Sequence, residues 1–112
     1  MTAQTSSPTT NPAVRKLEPA TLWNHFADLN KIPRPSKKEE RVIAFMRSFG
    51  ESLGLETVVD DVGNVIIRKP ASPGMENRVP IVMQSHLDMV CQKNADTEFD
   101  FDNQGIEMQV DG

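Results

Sequence analysis

The sequence predicts an α/β fold, and three observations predict it. Two stretches, around Leu22–Leu29 and Val42–Leu53, carry apolar residues at helical spacing. Two β-branched runs, Leu55–Val59 and Val65–Ile67, flank a polar turn and read as a hairpin. A short apolar run, Val79–Met83, has the character of a buried strand covered on both faces.

Along the chain, Met1 to Pro12 is rich in Ser, Thr, Pro and Asn and holds no charged side chain. So little apolar surface does not offset the entropy of ordering, and a disordered arm is expected over residues 1–16. The arm lacks the apolar stretch of a secretory signal and the arginines of a mitochondrial presequence, so a cytoplasmic location is expected. Order is expected from about Leu17 onward, as one unit over 17–112.

Leu22, Phe26 and Leu29 recur at i, i+4 and i+7, with Trp23 beside them, so a short amphipathic helix follows. Pro19 stands where a first helical turn tolerates proline. Pro33 and Pro35 then end the helix, because each pushes its predecessor out of helical geometry. Ser36 and Glu39 have the spacing of a capping box. Val42, Met46, Phe49 and Leu53 make the stripe of a second helix, and Gly54 suits the left-handed position that closes it. Lys69 to Arg78 is a loop rich in Pro, Gly, Ser and Asn. The strand at Val79–Met83 has its ladder start just after Pro80, and it ends in Gln84-Ser85-His86-Leu87-Asp88. Phe99, Phe101, Ile106, Met108 and Val110 alternate weakly, as one more strand would.

Composition narrows the function. In 112 residues the net charge is −4, which is not the footprint of a nucleic-acid binder. No apolar run is long enough to span a bilayer. A single cysteine, Cys91, rules out a disulfide framework and any multi-cysteine zinc or iron–sulfur site. With only His25 and His86, a metal site built mainly of histidine is excluded too. Charge is uneven: residues 91–112 hold Lys93 against six acids. That tail reads as a solvated loop or, alternatively, a cation-attracting stretch.

Chemistry is expected at the end of the Val79–Met83 run, because open α/β sheets bind ligands beyond the carboxyl ends of their strands. His86 and Asp88 lie two residues apart there, which in extended backbone places them on one face. A carboxylate beside an imidazole fixes its tautomer, either behind a metal ligand or as the orienter of a hydrolytic triad. The same spacing also arises as a plain structural pair. His25 with Asp28 at i+3 reads as a ligand or base with its partner, or as a loose surface pair. Cys91 with His86 reads as a thiol nucleophile and its base, or as an incidental thiol. Neither a Gly-x-Ser-x-Gly elbow nor a phosphate-binding glycine loop occurs.

Several separated blocks carry a resemblance. Leu29-Asn-Lys-Ile-Pro-Arg-Pro-Ser-Lys-Lys-Glu-Glu40, the run Asn64 to Asn77, and Val82-Met-Gln-Ser-His-Leu-Asp-Met-Val-Cys-Gln-Lys-Asn94 agree in order and spacing with one family. Over about residues 17–112 the chain resembles the bacterial aminoacyl-histidine dipeptidases, also called cytosolic non-specific or Xaa-His dipeptidases. These belong to the zinc peptidase superfamily of the aminoacylases and glutamate carboxypeptidases. The resemblance implies the N-terminal part of a zinc-peptidase catalytic domain with two zinc ions and a bridging water. It implies His86 as a metal ligand and Asp88 as the catalytic carboxylate orienting it. It assigns no role to Asp96, Asp100 or Asp102. The family's remaining ligands and its general-base glutamate match no residue here, nor does its second domain with the dimer contacts. The expected function is therefore hydrolysis of dipeptides, with a homodimer as possible assembly and this chain alone inactive. The alternative is a non-enzymatic α/β module serving as scaffold or interaction domain. On the dipeptidase reading the Val79–Met83 run would lack covering helices and expose an apolar face, whereas the module is expected to fold cooperatively by itself.

Overall fold

The computed structural model describes residues 12–111. A short 3-10 helix at Pro12–Lys16 leads to α1 (Ala20–Asn30), α2 (Glu40–Ser52), β1 (Glu56–Val59) and β2 (Val65–Arg68). Both helices and the hairpin stand as the sequence predicts.

A 3-10 turn is already formed at Pro12–Lys16, ahead of Leu17. Val14 is 2% exposed in the 3-10 helix, so one apolar side chain anchors that turn. Arg15 holds it to α1 by donating to Asn24 Oδ1 at 2.9 Å and to Asp28 Oδ1 at 2.7 Å. The rest of the arm, residues 1–11, lies outside the described residues.

The second helix packs on the hairpin. Val42 is fully buried, and Gly50 lies so close to β1 that an added Cβ would overlap Thr57 Oγ1. Gly54 takes φ 71° just past the helix, and Leu55 N donates to Gly50 O at 3.0 Å, which closes the last turn. The antiparallel register pairs Glu56 with Arg68 and Val59 with Val65. Thr57, Val59, Val65 and Ile67 turn toward α2 as the half-buried set, and their neighbours face solvent. Across the outer face Arg68 Nη1 reaches Glu56 Oε2 at 2.9 Å. In the turn, Asp60 accepts from the backbone N–H groups of Val62 and Asn64 and from the Asn64 side chain. Gly63 there takes φ 95°.

Two sequence expectations fail. Val79–Met83 is not a buried strand: it has no ladder partner, and Val82 and Met83 are 90% and 92% exposed. A fully apolar strand needs neighbours on both edges and cover on both faces. Among the described residues none supplies them, so the apolar face is open, as an uncovered strand requires. The weak alternation from Phe99 to Val110 also makes no strand. That segment instead lies against the end of α1, where Ile106 N donates to Asn30 O at 2.7 Å. Gly105 is required there, since a Cβ would stand 2.5 Å from the carbonyl oxygens of Asn30 and Lys31.

The radius of gyration is 17.2 Å, against about 13 Å for a compact chain of some hundred residues. Among the described residues the buried apolar side chains are Val14, Ala27 and Val42.

Candidate active site

The His-x-Asp segment is held by the loop between the two helices. Pro35 and Met89 form an isolated parallel bridge. Its rungs are Met89 N to Arg34 O at 2.9 Å and Ser36 N to Met89 O at 3.2 Å. Arg34, 8% exposed, adds a side-chain latch. Its Nη1 donates to Leu87 O at 2.9 Å and its Nη2 to Asn30 Oδ1 at 2.7 Å, while Nε is buried without a partner. Burial disfavours the guanidinium charge and pushes its pKa down, and nearby Asp88 works in the opposite direction.

These contacts place His86 and Asp88 together. His86 Nδ1 donates to Asp88 O at 2.7 Å and to Asp88 Oδ1 at 3.2 Å. The imidazole is 73% exposed, and its Nε2 makes no hydrogen bond among the described residues. Ser36 Oγ donates to Asp88 Oδ2 at 2.5 Å. That bond above all, against desolvation and with weaker help from the Asp88 backbone N–H and the His86 contacts, holds the Asp88 carboxyl below the usual carboxylate range. The carboxylate therefore stays ionised and acts as acceptor for the ring N–H.

Other candidates come apart. The Asp28 carboxylate is taken by Arg15, and His25 instead packs edge-on against Phe49 with ring centroids 5.2 Å apart. Cys91 is exposed, with its Sγ 3.8 Å from Met89 O, and it does not meet His86, whose Nδ1 faces Asp88. Asp100 is used within its own loop by Asp102 N and the Asn103 side chain, and Asp102 pairs with Lys38 at 2.9 Å and accepts from Arg41. Beside the latch an open cleft of about 400 Å³ runs between Pro33–Pro35 and Phe99–Ile106.

The capping box does not form, which is a local correction. Glu39 is the N-cap of α2 without a side-chain cap bond, and its Oε1 accepts from Lys37 N. The hydroxyl expected there has gone to Asp88, across 52 residues. Sequence reasoning thus missed Ser36 and Arg34 as parts of the site. Both lie in the block Leu29–Glu40 that carries the resemblance, and Ser36 also in the expected capping box, but no periodicity marks a contact of that range.

The donor chemistry fits a first metal ligand: an imidazole with Nδ1 held by a carboxylate and Nε2 open. It does not fit a whole site, because among the described residues no group of three His, Cys, Asp or Glu could hold a metal.

Comparison with known proteins gives this α/β segment and its oriented imidazole a setting. No family model matches the chain. It is 46% identical over 97 residues to the cytosol non-specific dipeptidase of Escherichia coli (strain K12), covering 87% of this chain and 20% of that protein. Among solved structures it superposes on the aminoacylhistidine dipeptidase from Vibrio alginolyticus with a TM-score of 0.84 and 43% identity, covering 88% of this chain and 20% of that one. The resemblance to the aminoacyl-histidine dipeptidases is borne out, and the chain spans about one fifth of the length of these relatives. No helix among the described residues is long and apolar enough to cross a membrane.

Proposed function

We propose that this chain forms part of the catalytic domain of a cytoplasmic, zinc-dependent dipeptidase of broad Xaa-His type, acting on dipeptides and not on nucleic acid or membranes. His86 is the metal ligand and Asp88 the carboxylate that orients it. The observation that carries the reading is the His86–Asp88 contact with Nε2 left open, in a chain so similar to two dipeptidases. A pair of zinc ions, when bound, supplies an acidified water and polarises the scissile carbonyl. This chain's own residues hold the imidazole in place: Asp88 keeps the proton on Nδ1, and Arg34 and the Met89 bridge fix the segment. The remaining ligands, the general base and any homodimer contacts are not among the described residues, so the chain alone is inactive.

The test is a chimera in which this chain replaces the matched segment of the Escherichia coli dipeptidase. It should hydrolyse dipeptides, lose activity to a chelator, and lose both bound zinc and turnover on His86→Ala. A chimera that folds and binds zinc but cleaves no dipeptide overturns the reading. So does full zinc content and turnover in the His86→Ala form.

One observation favours a second reading, a non-enzymatic interaction module: the exposed apolar run at Val79–Met83. A module of that kind must fold cooperatively by itself. A broad thermal transition of the isolated chain counts against it.

A further inference from the structure

The Asp88 carboxylate has a different partner at each oxygen. Oδ1 accepts from His86 Nδ1 at 3.2 Å, beside the 2.7 Å bond of that nitrogen to Asp88 O, and Oδ2 accepts from the Ser36 hydroxyl. A carboxylate turns easily about its terminal torsion, which is broad rather than staggered. With a donor on one oxygen only, its plane is poorly fixed; with a donor on each, it is set. The serine is itself well placed. Its backbone N–H donates to Met89 O, and Lys37 after it takes φ 73°, which turns the chain away immediately past the hydroxyl. Ser36 thus stands on the fixed side of the parallel bridge and reaches across it.

We propose that Ser36 is a positioning residue for His86, acting through Asp88: its hydroxyl sets the carboxylate plane that keeps the imidazole in the Nδ1–H tautomer with Nε2 directed outward. The relay is a property of this chain alone. Its consequence, a preorganised metal-binding nitrogen, rests on the function proposed above.

The experiment reads the two ring nitrogens of His86 by nitrogen-15 NMR on the whole chain at about pH 8, above the ordinary histidine range. The native chain should show widely separated shifts, with the proton on Nδ1. Ser36→Ala should pull the two shifts toward each other as the Nε2–H tautomer gains population, and Ser36→Thr should restore the separation. The backbone amides of residues 34–36 and 86–89 report whether the bridge survives. Where Ser36→Ala does not fold, Ser36→Cys keeps the size and weakens the donor. Unchanged ring shifts in a variant with the bridge intact overturn the proposal, as does failure of Ser36→Thr to differ from Ser36→Ala. No metal or substrate enters this measurement, so its failure is distinct from an inactive chimera.

Discussion

Arg34 Nη1 donates to the carbonyl of Leu87 at 2.9 Å, which ties the loop after α1 to the residue between His86 and Asp88. The same guanidinium holds Asn30 at the end of α1, so one nearly buried side chain joins a helix terminus to the candidate site. Replacing it by Met keeps the length of the stem and removes both bonds. Arg34→Met should lower stability by about 2 kcal/mol, the scale of a charged hydrogen bond lost at a buried site. Denaturant unfolding measures the loss, and the His86 and Asp88 resonances should broaden in the same variant.

Asp60 gives the hairpin a pH dependence. Hydrogen bonds from the Asn64 side chain and backbone, then from the backbone of Val62, hold its carboxyl below the ordinary value. A folded-state pKa below the unfolded one stabilises above the unfolded value, near pH 4, and that stabilisation is lost as pH falls through the folded value. Amide protection in β1 and β2, corrected for the intrinsic exchange rate at each pH, should therefore fall below about pH 4. Asp60→Asn should flatten that acid limb, and an unchanged limb would assign the effect to other carboxylates.

Gly50→Ala puts a methyl group onto Thr57 Oγ1 and near Ile67, where α2 meets the hairpin. Overpacking of this kind costs about 1–3 kcal/mol. Thermal melts should show a lowered midpoint, and the double change Gly50→Ala with Thr57→Ala should recover part of it.

The open run at Val79–Met83 should bind a hydrophobic dye and drive self-association. Val82→Glu places a charge where the side chain is 90% exposed, so it should reduce dye binding and leave the unfolding free energy within about 0.5 kcal/mol of the native chain. A marked drop in stability would mean that Val82 is covered in solution.

Local chemistry made the helices and the hairpin legible in the sequence. The Val42–Leu53 stripe, the left-handed Gly54 and the Asp60–Asn64 turn each depend on neighbours a few residues away. The His86–Asp88 pair was legible for the same reason. Ser36 was misread because the capping box and the bond to Asp88 compete for one hydroxyl, and the winner lies 52 residues off. Val79–Met83 was misread as buried because apolar content records what a segment prefers, and no neighbour within the described residues satisfies it. The tail's alternation failed where Gly105 docks on the last carbonyls of α1, a fit that depends on a missing Cβ and leaves no periodic trace.

The bridge at Pro35 also has a bearing on alignment. Its two rungs use Arg34 O and Ser36 N, the groups on either side of a residue that has no N–H to give. Sliding Met89 one residue toward α1 would ask the Pro35 nitrogen to donate, and sliding it three would ask the same of Pro33. The alternating prolines act as detents, closing off neighbouring settings on that side and indexing His86 at a fixed distance from a single notch.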